Sequence, residues 1–171
     1  MTRDALPNCP VSGFHSVEIL GSGGNGDVIK IANNETGEEF ALKILRRIQD
    51  DTYQRFKNEV DIVTRCGIEG VMPITISSLP DNPRLSKPWY VMPLALPFSV
   101  FIEGKNFSEI IEAFIPLAET LEQLHMQGIY HRDIKPDNFL YFSDRLYLTD
   151  FGLVKFPESG NLTPERRDVG A

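Results

Sequence analysis

The segment His131-Arg132-Asp133-Ile134-Lys135-Pro136-Asp137-Asn138, followed twelve residues later by Asp150-Phe151-Gly152, constrains this chain more than any other feature. Short apolar segments flank both motifs, so carboxylates, an amide and cations are gathered between elements that have to be buried. The remainder has the balance of an ordinary soluble globular protein, with 171 residues of which 42% are apolar and 24% charged. Such a chain can bury roughly 70% of its unfolded surface, enough for one sizeable core and two small lobes. Collagen-like, low-complexity and disordered classes are excluded. With 17 Lys and Arg against 24 Asp and Glu, the net charge is −7. That disfavours a nucleic-acid partner, because neutralising phosphates needs cationic surface.

Cys9 and Cys66 are the only cysteines, far apart and without C-x-x-C spacing. Neither a disulfide framework nor a zinc site is indicated. Met1 to Phe14 contains no apolar export segment. The most apolar stretch, Trp89 to Ile102, is interrupted by Pro93 and Pro97 and is too short to span a bilayer. A cytoplasmic protein without membrane attachment is expected.

Three prolines and three serines in Ser77 to Pro88 predict a loop that divides the chain. Before it, Val17–Leu20, Val28–Ala32 and Phe40–Leu45 read as strands, and Asn33-Asn34-Glu35-Thr36-Gly37 reads as the turn of a hairpin. Tyr53, Phe56, Val60 and Val63 recur at helical spacing within Asp51–Thr64. Beyond the loop, Ser108 is expected to cap a longer helix with the stripe Ile110, Phe114, Leu117, Leu121 and Leu124, ending near Gly128. Pro116 lies inside that stripe and predicts a kink or a displaced start.

The glycine cluster Gly21-Ser22-Gly23-Gly24-Asn25-Gly26 allows backbone amides to approach phosphates. A P-loop would need Lys and Ser/Thr after the last glycine, where Asp27-Val28 stands. A dinucleotide fingerprint would need a helix, whereas Val28-Ile29-Lys30-Ile31 reads as a strand. A hairpin folded over phosphates fits, and a plain flexible turn fits equally well. Lys43, in the apolar strand Ala41-Leu42-Lys43, either snorkels to solvent or meets an anion at its tip. Glu59 shares a helix face with Phe56 and Val63 and is a candidate ion partner; alone it would read as a solvated carboxylate.

Taken together and in this order, these motifs resemble a eukaryotic-type serine/threonine protein kinase catalytic domain, from Phe14 to the end of the chain. The resemblance implies an α+β, protein-kinase-like two-lobed fold: a strand-rich N-lobe with one long helix, and an incomplete helical C-lobe. It places an N-terminal extension at 1–13, the N-lobe at 14–92, and the hinge with a partial C-lobe at 93–171. It implies ATP and Mg²⁺. Leu20, Gly21, Gly23, Gly24 and Gly26 would cover the nucleotide, and Val28, Ala41 and Leu140 with Leu20 would sandwich the adenine. Met92 would close the back of that pocket, and Pro93 to Ala95 would connect the lobes. Lys43 would hold the α- and β-phosphates and Glu59 would orient it. Asn138 and Asp150 would bind the metal, Asp133 would be the catalytic base, and Lys135 would steady the γ-phosphate. His131 and Phe151 are expected to pack with Val63 rather than transfer protons.

The resemblance further implies a protein substrate with a Ser/Thr acceptor, and it allows an activating partner. Arg132 and Lys155 are positioned to meet a phosphorylated activation segment, with Ser159 and Thr163 as acceptors. The family's Ala-Pro-Glu element does not follow Asp168-Val169-Gly170-Ala171. The helix from Ser108 and the strands around Leu146 are therefore expected to expose one face. The alternative function is a nucleotide-binding or partner-binding module without turnover.

Overall fold

Period-two alternation of apolar side chains builds the first half of the molecule. The computed structural model describes residues 6–23 and 26–154. Strands β1 (Phe14–Gly23), β2 (Gly26–Asn33), β3 (Glu39–Ile44), β4 (Ile76–Ser78) and β5 (Trp89–Pro93) form one antiparallel sheet in the order β1-β2-β3-β5-β4. Leu42 and Ile44 of β3 face one side, where they meet Ile29, Ile31, Val91 and Val11. Ala41 faces the other side with Tyr90 and Met92 of β5. Both faces are thus apolar, and the second is covered by helix α1 (Asp50–Cys66) through Tyr53, Phe56 and Val60.

Helix α1 starts where the Gln49 backbone N–H donates to Thr52 Oγ1 at 3.0 Å, and it stops at Gly67, whose φ of 60° is left-handed. The expected stripe holds: Tyr53, Phe56 and Val60 are buried and Val63 is partly so. Ile62, outside that stripe, is also fully buried, but in a different core. There it meets Phe151, Leu117, Leu124, Leu146 and Leu148, so α1 is apolar on two sides.

The second half is built on α3 (Phe107–Met126), the short helix α2 (Phe98–Phe101), and a small antiparallel sheet of β6 (Leu96–Pro97), β7 (Phe139–Phe142) and β8 (Arg145–Leu148). Asn106, not Ser108, caps α3. Its side chain accepts from the Glu109 N–H at 3.1 Å while Glu109 Oε2 accepts from the Asn106 N–H at 2.8 Å. That reciprocal box satisfies two backbone donors at once, which a lone serine cannot do. Nor does Pro116 break the helix, which continues through it. The carbonyl deprived of its partner belongs to Glu112, an exposed residue, so water can satisfy it. The Pro116 carbonyl itself accepts from Thr120 Oγ1 at 2.9 Å.

As expected, α3 leaves an apolar face uncovered, with Ile111, Ile115 and Met126 exposed. The strands around Leu146 do not: Leu146 and Leu148 are fully buried, because α3 lies directly over β8. The two halves are joined where Leu148 meets Val71 in a parallel bridge, with the Met72 N–H donating to the Leu148 carbonyl at 2.9 Å. The Leu148 N–H returns to the Gly70 carbonyl at 2.7 Å.

Gly70 is the point of closest approach. Its φ is +92°, and a Cβ there would collide with the buried Thr120 hydroxyl and crowd Arg145. Gly70→Ala is expected to destabilise the protein by about 2 kcal/mol or more, from left-handed backbone strain and overpacking together. Chemical denaturation of the two proteins measures it.

Candidate active site

A lysine in mid-strand keeps its charge inside a protein only if something opposes it. Lys43 lies on the α1-facing side of β3, 7% exposed, and its Nζ donates to Glu59 Oε1 at 2.9 Å and Oε2 at 3.0 Å. Glu59 is 3% exposed. Asp150 Oδ1 lies 3.5 Å from the same ammonium. Burial works against the charged form, but the carboxylates of Glu59 and Asp150, with Tyr90, outweigh it and hold the Lys43 pKa well above its ordinary value. The lysine expected to meet an anion therefore meets two.

Asp133 follows Arg132, whose φ of 66° is left-handed, and precedes the 3₁₀ turn Pro136–Asn138. Asn138 Nδ2 donates to the Asp133 carbonyl at 2.7 Å and to Asp133 Oδ2 at 3.0 Å. Lys135 Nζ reaches the same Oδ2 at 2.8 Å. The Lys135 bond, then that of Asn138, holds the Asp133 carboxyl below the usual range despite some desolvation. Since Asp133 presents only acceptors to Asn138, the amide nitrogen is committed there and the amide oxygen is left as a hard ligand. With Asp150 it supplies the oxygen chemistry that Mg²⁺ prefers.

Backbone bonds align the two motifs. The Thr149 N–H donates to the Asn138 carbonyl at 3.0 Å, and His131 Nε2 lies 2.9 Å from the Thr149 carbonyl. The Asp133 N–H meets His131 Nδ1 at 3.3 Å. His131 is thus the neutral Nε2–H tautomer, donor on one side and acceptor on the other. Phe151 packs edge-on against it at 4.7 Å, and Val63 borders the same core, so His131 and Phe151 pack as the sequence led us to expect. Lys43, Glu59, Asp133, Lys135 and Asp150 all line one cleft of about 270 Å³, with Phe56, Arg55 and Gly152.

The remaining expected residues gather beside this cleft. Ala41 and Met92 are buried in one cluster, with Val28, Leu94, Ala95 and Leu140 packed against it. Leu20 is 44% exposed and lies above this surface, lining a groove with Leu94 and Ala95. Gly21 and Gly23 pair with Val28 and Gly26 at the turn end of the β1–β2 hairpin. Gly26 has φ +143°, and a Cβ there would strike the Ile44 carbonyl, so glycine is required. Gly24, Lys155, Ser159 and Thr163 lie outside the described residues.

A family model of the protein kinase domain matches residues 14–168. The chain belongs to the protein kinase domain family. Its relatives include the serine/threonine-protein kinase AtPK1/AtPK6 of Arabidopsis thaliana, 26% identical over 85% of this chain and 32% of that protein. The DNA damage-responsive serine/threonine-protein kinase RqkA of Deinococcus radiodurans is 28% identical over 85% of this chain and 23% of its own length. For the serine/threonine-protein kinase CBK1 of Pneumocystis carinii the values are 31%, 82% and 29%. This kinase domain sequence thus spans about a quarter to a third of the length of these curated relatives. The α+β two-lobed architecture expected from the sequence is the family's.

One site residue escaped the sequence reading. Tyr90, on β5, donates from its hydroxyl to Glu59 Oε1 at 2.8 Å. Only the β3–β5 register, which sets Tyr90 opposite Lys43, could have pointed to it.

Burial lowers the His131 pKa, although Thr149, Asp150 and Asp133 oppose the shift. A histidine whose folded pKa is depressed binds fewer protons folded than unfolded, so its share of stability is full above about pH 6.5 and lost as pH falls through the folded value. Denaturation across this window is expected to show stability falling with pH. The slope should shrink in His131→Gln.

Proposed function

We propose that this kinase domain transfers the γ-phosphoryl group of ATP to a serine or threonine hydroxyl of a protein substrate. One observation carries the reading: a buried, ion-paired lysine, Asp150, Asp133 and Lys135 share a single cleft, and Asn138 is hydrogen-bonded to Asp133. Lys43, fixed by Glu59, presents a full positive charge to the α- and β-phosphates. Gly21, Gly23 and Gly26 offer backbone amides above them, and the surface of Val28, Ala41, Met92 and Leu140 receives the adenine with Leu20 as its lid. Asn138 and Asp150 would hold Mg²⁺, which when bound neutralises charge on the polyphosphate.

Among the described residues, both donors to the Asp133 carboxylate fall on Oδ2. Oδ1 is the oxygen left to accept the hydroxyl proton of the substrate. Because its carboxyl is held below the usual range, Asp133 orients that hydroxyl and takes the proton late, as its bond to phosphorus forms. Lys135, 2.8 Å away, offers its ammonium to the transferring phosphoryl oxygens. Lys135 also supports a serine/threonine acceptor, the specificity for which the relatives are named. Net charge of −7 and two free cysteines fit a cytoplasmic setting with protein rather than nucleic-acid substrates. Among the described residues no helix is long and apolar enough to cross a membrane.

Two outcomes are expected. Asp133→Asn should lower phosphate transfer by a factor on the order of 100 to 10,000. The same variant should leave the upward melting shift with Mg-ATP in place; for the parent, ligand at 100 times Kd contributes about 2.7 kcal/mol. Equal loss of both would remove Asp133 from the chemical step. Lys135→Ala removes the main cause of the depressed Asp133 pKa, so the acid limb of the pH–rate profile should move to higher pH. A limb that stays in place would mean that another group titrates there.

A further inference from the structure

Lys43 lies between two carboxylates, and a third residue decides which of them holds it. In the antiparallel register of β3 and β5, Tyr90 is directly opposite Lys43, so the two side chains leave the sheet side by side. Lys43 Nζ is 5.4 Å from the Tyr90 ring centroid. The ring lies against Phe56 at 5.3 Å, and its hydroxyl donates to Glu59 Oε1 at 2.8 Å. Phe56 and Glu59 are three residues apart on one face of α1. Tyr90 therefore grips α1 at two points while touching the strand lysine.

The hydroxyl favours one arrangement of the charges. Asp150 Oδ1 is 3.5 Å from the ammonium and draws it away from Glu59. Tyr90 donates to Glu59, at the oxygen that already accepts from Lys43 at 2.9 Å. A carboxylate only 3% exposed has few other donors within reach, so this bond keeps it in place while Lys43 divides its charge. We propose that Tyr90 is a positioning residue for phosphoryl transfer, its hydroxyl holding the Glu59 carboxylate and through it Lys43. The proposal rests on the kinase reading of this same cleft. Burial, then Glu59, pushes the Tyr90 phenol well above its ordinary pKa, so it remains an O–H donor at working pH.

Tyr90→Phe tests this, since Phe56 packing retains the ring when the hydroxyl is gone. In the 171-residue chain, kcat is expected to fall about tenfold, the scale of one hydrogen bond to a charged group, with KM for ATP changed less than about twofold. Added to Glu59→Gln, the same substitution should change kcat by less than about twofold, because its route to Lys43 is already cut. Separately, labelling of Lys43 by isotopic acetic anhydride, read by mass spectrometry without nucleotide, should rise at least about threefold as the clamp loosens. An unchanged kcat, additive effects in the double variant, or unchanged Lys43 labelling overturns the proposal. If the parent transfers no phosphate, the kinase reading fails, and Lys43 labelling alone decides the role of Tyr90. If Tyr90→Phe does not fold, Lys43→Met/Glu59→Leu/Tyr90→Phe should, because both charges of the buried pair are gone; a triple variant that also fails makes Tyr90 structural and overturns the proposal.

Discussion

The ion pair between Lys43 and Glu59 ties the architecture to the chemistry, because neither charge is tolerable where it lies without the other. Lys43 reaches its position only if β3 is central and turns that face toward α1. Glu59 reaches its own only if α1 docks with Phe56 and Val60 against the sheet. Breaking a pair this buried by deleting one partner costs several kcal/mol. Swapping both for apolar residues would keep the fold and discard the site, so the pair is better understood as a requirement of phosphate binding than as a source of stability.

Helix α1 transmits that requirement across the molecule. Tyr53, Phe56 and Val60 belong to the core beneath the large sheet, whereas Ile62 belongs to the core that contains Phe151, Leu117 and Leu148. One rigid element thus fixes Glu59 relative to both Lys43 and the segment that carries Asp150. The backbone bonds from Met72 and Gly70 to Leu148 add a second tie, close to the end of α1. A rotation of α1 that freed Glu59 would disturb both cores at once.

Much of this was legible in the sequence because its signals are local. Alternation in β2 and β3, the stripe of α1, and the spacing from Asp133 to Asn138 are each contained in one short segment. The Asn106–Glu109 box at the start of α3 was legible in principle, since it occupies four consecutive residues, but Ser108 drew the assignment. What was out of reach depends on pairing between distant segments. Nothing local to Trp89–Pro93 says that Tyr90 stands opposite Lys43, or that its hydroxyl ends on Glu59. The burial of Leu146 likewise follows from where α3 lies, not from the strand. Continuity of α3 through Pro116 depends on which side of the helix meets solvent, which the sequence pattern alone left open.

The two motifs that drew attention first each carry a left-handed non-glycine residue. Arg132 and Asp150 both have left-handed φ, 66° and 65°, which costs a non-glycine residue about 1 kcal/mol or more. Such conformations persist only when the surroundings leave no alternative. Here Thr149 is held from both sides, by the Asn138 carbonyl and by His131, and the fully buried Phe151 anchors the next residue but one. The left-handed turn at Asp150 brings its carboxylate within 3.5 Å of Lys43 while Phe151 points into the core. A relaxed backbone at Asp150 would carry its carboxylate away from Lys43 or Phe151 out of the core. The strain is local, and the buried contacts on either side of it keep both side chains where the site needs them.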